Sequence, residues 1–128
     1  INTECIRLGN QDLIPFSAQD ILIYLNEQKL IFLLSITRGL KQSGKTQISI
    51  VEIISIYKMI CENLDINCRS YSQLWNYLQE FKRDNFITVL IQSESFKGRK
   101  GLIEIPEFSL IKLEAEIIRI LKSKGKLL

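Results

Sequence analysis

Histidine is absent from the 128-residue sequence. Without an imidazole, no side chain titrates near neutral pH at its ordinary pKa, so Ser-His-Asp and Cys-His catalysis are excluded, and large classes of hydrolase with them. Cys5, Cys61 and Cys68 form no CxxC pair. With no histidine to add, a tetrahedral zinc site lacks a ligand unless a carboxylate joins it. Three reduced thiols in a cytoplasmic protein are expected instead, with Cys61 as ordinary core on an apolar helix face. Long apolar runs are missing too. No stretch reaches the roughly 18 uninterrupted apolar residues of a membrane span, and the first residues carry neither a basic run nor an apolar signal core. The chain is therefore expected to be soluble and cytoplasmic, with no membrane contact. Alanine occurs only at Ala18 and Ala115 while Ile and Lys abound, a composition that suggests an AT-rich genome. Opening on Ile1 rather than Met, the chain is expected to be a piece of a longer protein.

What is present is enough for one core. With 46% hydrophobic and 24% charged residues, the sequence supports a single domain with short extensions and is too short for two ordinary ones. The net charge of +3 is unevenly spread: residues 1–67 hold 6 basic and 7 acidic groups, residues 68–128 hold 11 and 7. The second half is the one expected to meet phosphates, although such an excess is also common on solvated surfaces.

Three helix starts are marked by a hydroxyl followed three residues later by a carboxylate or amide, which satisfies orphan N–H groups reciprocally. They are Ser17-Ala-Gln-Asp20, Ser49-Ile-Val-Glu52 and Ser70-Tyr-Ser-Gln73. A short helix is predicted from Ser17 to about Leu25. Asn26 can cap the next, which carries Leu30, Leu33, Leu34 and Leu40 until Ser43-Gly44 ends it. After Ser49, the spacing of Ile50, Ile53, Ile54, Tyr57, Ile60, Cys61 and Leu64 predicts a helix with one buried face. A short connection over residues 65–69 leads to a third capped helix from Tyr71 to Asp84. It buries Leu74, Tyr77, Leu78 and Phe81, and Asn85 suits the left-handed residue at its end.

From Phe86 the period changes. The segments Ile87-Thr-Val-Leu-Ile91 and Leu102-Ile-Glu-Ile105 suit strands, with the basic, glycine-bearing Ser95-Phe-Lys-Gly-Arg-Lys-Gly101 as the loop between them. Leu110, Leu113, Ile117, Ile120 and Leu121 then share one face of a last helix that runs into the tail Lys122-Ser-Lys-Gly-Lys126. The fold predicted is mainly α with a small antiparallel β-hairpin: a winged helix-turn-helix with an extra C-terminal helix. Its divisions are residues 1–25 as an N-terminal extension, 26–108 as the winged helix, and 109–128 as the last helix and basic tail.

Opposite its buried face, the third capped helix carries Ser72, Asn76, Gln79 and Arg83, an unbroken polar stripe at about 100° per residue. Amides can bond adenine twice, Arg can do the same with guanine, and Ser fits base or backbone. Ser72, Gln73 and Asn76, near the helix N-terminus, would enter a major groove most deeply, and Arg69 and Ser70 just before them are further candidate DNA contacts. Lys97, Gly98, Arg99 and Lys100 suit backbone or minor-groove contact, the glycines allowing close approach and the cations displacing counterions. Double-stranded DNA is thus one expected partner. A winged helix that contacts protein through Trp75 and Phe96, or a transcription regulator, is the alternative, although Trp75 is expected to be partly buried packing rather than a base-stacking group.

A different chemistry is suggested by Gly39-Leu-Lys-Gln-Ser-Gly44-Lys45-Thr46, which matches the phosphate loop GxxxxGK[ST]. Such a loop follows a buried parallel strand and opens a helix, and periodicity alone leaves residues 31–36 open as strand or helix. Against it, no later apolar strand ends in an Asp for magnesium, and the cap at Ser49 starts the next helix too late for Lys45 and Thr46 to sit in its first turn.

Several segments resemble a known family. Gln28-Lys-Leu-Ile-Phe-Leu-Leu-Ser-Ile36, Val51-Glu-Ile-Ile-Ser-Ile-Tyr57 with Ile60-Cys61, and Leu74-Trp-Asn-Tyr-Leu-Gln-Glu-Phe81 leading to Phe86-Ile87 resemble the C-terminal winged-helix domain of the archaeal origin-recognition and helicase-loader initiators, relatives of the eukaryotic origin recognition complex. Lys97-Gly98-Arg99 looks like the family's wing tip. The resemblance implies binding to replication-origin DNA, with an upstream ATPase module whose lid would end in residues 1–25. It implies a replicative helicase or other initiator subunits as further partners. ATP and magnesium would belong to that module, with no cofactor in this chain. This sequence departs from the family at the start of the recognition helix, where Ser72 and Gln73 stand in place of more basic residues.

Overall fold

The computed structural model describes residues 16–94, 98–105 and 109–125. Asn26, Ser49, Ser70 and Ser109 each stand in extended backbone and accept a hydrogen bond from the amide three residues on. After α1 (Phe16–Tyr24), these caps open α2 (Glu27–Ser43), α3 (Ile50–Leu64), α4 (Tyr71–Arg83) and α5 (Leu110–Ser123). The C-terminal ends follow local chemistry as well. Gly44 at φ 68° closes α2, Asp65 at φ 56° closes α3, and Asn85 at φ 64° turns the chain away after α4. Short polar side chains tolerate this left-handed region better than others do. Ser17 is not a cap: the helix already includes Phe16, and a capping hydroxyl works only where its own backbone is still extended.

Three strands form one antiparallel sheet in the order β1-β3-β2: β1 (Ile48–Ser49), β2 (Thr88–Glu94) and β3 (Gly98–Glu104). Ile48 faces Ile103 across the β1–β3 ladder. The β2–β3 register runs from Thr88 opposite Glu104 to Glu94 opposite Gly98. The hairpin is therefore longer than expected, because Gly98, Arg99 and Lys100 are in strand rather than loop. Ladder bonds are made by the backbone, so polar Gln92, Ser93 and Glu94 can continue the pairing past the last apolar residue.

The core is built around α2. Residues 30–37 are buried on every side of the helix, which identifies it as the central element rather than an amphipathic surface one. The hydroxyls of Ser35 and Thr37 within this run donate to the carbonyls of Ile31 and Leu33, so neither is buried unpaired. Phe32 is the hub of an aromatic cluster. Its ring centroid lies 5.5 Å from Tyr57, 6.4 Å from Tyr77 and 6.4 Å from Phe81, and Phe81 in turn lies 6.4 Å from Phe86. Helix α5 covers the other side of α2 with Leu113, Ile117, Ile120 and Leu121, all buried.

An ion triad pins α5 in register. Glu114 accepts from Arg38 Nε at 2.9 Å and from the Lys41 ammonium. Burial alone would push the Glu114 carboxyl up, but the hydrogen bonds and charges of Lys41 and Arg38 outweigh it and hold the group below the usual carboxylate range. A depressed folded-state pKa contributes stability that is present above the unfolded glutamate value of about 4.3 and is lost as pH falls through the folded value. Glu114→Gln is expected to cost about 1 kcal/mol or less at pH 7 and to flatten this acid limb. Melting temperatures of both proteins between pH 3 and 7 check it; parallel curves would rule the linkage out.

Candidate nucleic-acid interface

Helix α4 turns Leu74, Leu78 and Phe81 into the core, and its other side stands in solvent. Ser72, Asn76, Gln79 and Arg83 are all exposed, as the stripe predicted, and so are Arg69, Ser70 and Gln73 before and beside it. Three of these side chains already have partners. Ser70 Oγ accepts from the Gln73 amide while Gln73 Oε1 accepts from the Ser70 amide, a complete capping box. Exposed Arg83 has a half-buried partner in Asp84 at 3.7 Å. A pair this long, with its arginine open to water, exchanges readily for a stronger anion. Glu80 is turned aside by Lys29, whose ammonium is 2.6 Å from it and 5.7 Å from the Tyr77 ring centre, so the acidic residue of α4 is neutralised.

The turn between α3 and α4 is fastened to α2 by a small polar network. Buried Tyr57 donates to Gln28 Oε1 at 2.6 Å, and its hydroxyl oxygen accepts from the Arg69 amide at 2.8 Å. Gln28 Nε2 donates to the Asn67 carbonyl at 3.0 Å. Burial pushes the Tyr57 hydroxyl well above its ordinary pKa, so it keeps the proton it donates across the whole neutral range. Burial likewise pushes the nearby Cys61 thiol up to about 11, which leaves it protonated and inert at neutral pH. No motif announces this clamp, because Gln28 and Tyr57 lie 29 residues apart.

On the wing, Lys97 and Phe96 lie outside the described residues. Gly98, Arg99 and Lys100 pair with Glu94, Ser93 and Gln92. Trp75 is the hinge between helix and wing: a Cβ at Gly101 would lie 3.1 Å from Trp75 Cη2, so the absence of a side chain there lets the indole close on β3. The indole is half-buried packing, as expected.

The segment resembling a phosphate loop does not have that architecture. Residues 31–36, the strand such a loop would need, are helical, and Gly39 lies inside α2, where a Cβ would approach Ile48 Cδ1 to 2.3 Å. This glycine serves the contact between α2 and β1. Lys45 and Thr46 follow the left-handed Gly44, and helix α3 begins only at Ile50.

The same architecture is found in solved proteins. A crystal structure of Cdc6p from Pyrobaculum aerophilum superposes with a TM-score of 0.71 at 31% identity, covering 83% of this chain and 26% of that one. Aeropyrum pernix ORC1, solved in complex with DNA, matches with a TM-score of 0.70 at 16% identity, over 80% of this chain and 26% of its own. Aeropyrum pernix ORC2, solved as ADPNP-ADP complexes, matches with 0.70 at 17% identity, over 89% and 27%. The last two likenesses speak for the fold alone. The chain spans about a quarter of the length of these solved proteins. No curated protein sequence matches it. The sequence pattern of the family described as CDC6, C terminal winged helix domain, runs through residues 20–109, from within α1 to the threshold of α5. Sequence pattern and architecture thus agree, and the chain belongs to the C-terminal winged-helix domains of the CDC6 initiator family.

Proposed function

We propose that this domain binds double-stranded DNA, as the origin-recognising part of a larger cytoplasmic initiator ATPase. Helix α4 enters the major groove with Arg69, Ser72, Asn76, Gln79 and Arg83, while the wing, with Lys97, Gly98, Arg99 and Lys100, follows the backbone or the adjacent minor groove. Ser70 and Gln73 hold the helix start and contribute what their capping bonds leave over. The observation that carries the reading is the exposed polar face of α4, opposite a face locked into the core and free of unpaired acid. That Aeropyrum pernix ORC1 was solved in complex with DNA supports it. ATP and magnesium belong to an ATPase portion outside the winged helix, and a replicative helicase or other initiator subunits are further partners.

The test is fluorescence anisotropy of a labelled mixed-sequence duplex at two salt concentrations, with the parent and a Lys97→Ala, Arg99→Ala, Lys100→Ala variant. Micromolar binding is expected for the parent, weakening steeply with salt as counterions released from the phosphates are put back. Three lost phosphate contacts are expected to lower the salt slope by about 2.7 and the affinity roughly tenfold. Absence of binding at low salt would sink the reading, and an unchanged slope in the variant would remove the wing from it.

A further inference from the structure

Tyr71 is the first residue of α4 and is 57% exposed, whereas Phe32, Tyr57, Phe81 and Phe86 are buried in the core. Its ring is held in place. The centroid lies 6.2 Å from that of Trp75 with the planes at 66°, an edge-on contact, and Trp75 is itself pressed onto Gly101 of the wing. Tyr71, Trp75 and Gly101 therefore form a continuous apolar step on the flank of α4 that meets β3. A ring held this way loses little further freedom on contact, whereas a free surface tyrosine would lose more.

The surroundings point to the occupant. Tyr71 follows Arg69 and Ser70 and precedes Ser72 and Gln73, all exposed, and the first turn of α4 carries no acidic residue. A polyanion with apolar groups in its groove is complementary to that neighbourhood. In duplex DNA the major groove presents one apolar group, the thymine methyl.

Resting on the DNA-binding reading, we infer that Tyr71 is a further specificity residue, contacting thymine methyls in the major groove beside the amide and guanidinium stripe. Sequence preference is then partly apolar, which fits a recognition helix with few cations at its start.

The test compares an alternating dA·dT duplex with its counterpart carrying deoxyuridine, which lacks the methyl but keeps every hydrogen bond. Parent, Tyr71→Ala and Tyr71→Phe are titrated, with binding read by anisotropy and by emission of Trp75, the chain's single tryptophan. Loss of one buried methyl is expected to weaken the parent about fourfold. Tyr71→Phe keeps that ratio, and Tyr71→Ala binds both duplexes equally at the weaker level. Equal melting temperatures of the three proteins exclude a folding effect, and the phenylalanine variant keeps the ratio readable if alanine unfolds the turn. A parent that binds both duplexes alike, or a Tyr71→Ala variant that keeps the fourfold ratio, overturns the assignment and leaves DNA binding intact. A parent that binds neither duplex overturns both.

Discussion

Phe32→Ala is expected to remove about 3–5 kcal/mol of folding free energy, a large part of the roughly 5–15 kcal/mol a domain typically has. Phe32 is fully buried and is the ring on which three others converge: Tyr57 of α3 meets it edge-on, while Tyr77 and Phe81 of α4 lie against it. Truncation removes the transfer energy of the ring. It also leaves a cavity that cannot close without shifting α3 and α4 toward α2, and close-packed helices collapse only partly. Urea unfolding followed by circular dichroism checks it: the midpoint falls with little change in slope, whereas Phe32→Leu, which conserves most of the volume, costs under about 1.5 kcal/mol. A loss below 1 kcal/mol for the alanine variant would show that the three helices do not depend on this ring.

Tyr57→Phe is expected to cost about 1–3 kcal/mol for a single oxygen atom. The ring and its edge contact with Phe32 remain, but the hydroxyl makes two bonds at once, donating to Gln28 and accepting from the Arg69 amide. Its removal takes the donor from a carboxamide oxygen of Gln28, which is only 8% exposed, and the acceptor from the Arg69 amide. The loss is local as well as global. Hydrogen exchange of the Arg69 amide is expected to accelerate more than that of the α2 core amides, because the clamp holds the turn from which α4 starts. Uniform acceleration would mean that the hydroxyl contributes to overall stability alone and does not position the recognition helix.

Most of the helical framework was legible because its signals are local. Asn26, Ser49 and Ser70 cap helices, and Gly44 and Asn85 turn the chain at helix ends, through bonds and dihedral preferences that span three or four residues. The polar stripe of α4 was equally legible, since a helix of known phase determines which side chains share a face. Each departure occurred where a local pattern met a longer-range requirement. Ser17 has the spacing of a cap but lies within a helix that already includes Phe16. Gly39, Gly44, Lys45 and Thr46 have the spacing of a phosphate loop but serve a helix packed on β1 and its end. The wing's strands reach further than composition suggests, because residues 92–94 and 98–100 are polar or glycine while their backbone pairs as strand.

By itself, the sequence determined the order of the helices and of the hairpin, the buried face of each amphipathic helix, and the polar residues on the open side of α4. These follow from periodicity and capping, which act within one element. Only the tertiary structure decided that residues 31–36 are the helical centre of the molecule, since a run buried on all sides has no period to read. The same holds for the clamp of Gln28 and Tyr57 on the turn, the Glu114 triad, and the Tyr71-Trp75-Gly101 step that joins recognition helix to wing. Each of these contacts is made by side chains on elements that fold separately and meet only when the core closes, or, as with Tyr71 and Trp75, depends on a third residue brought from a distant strand.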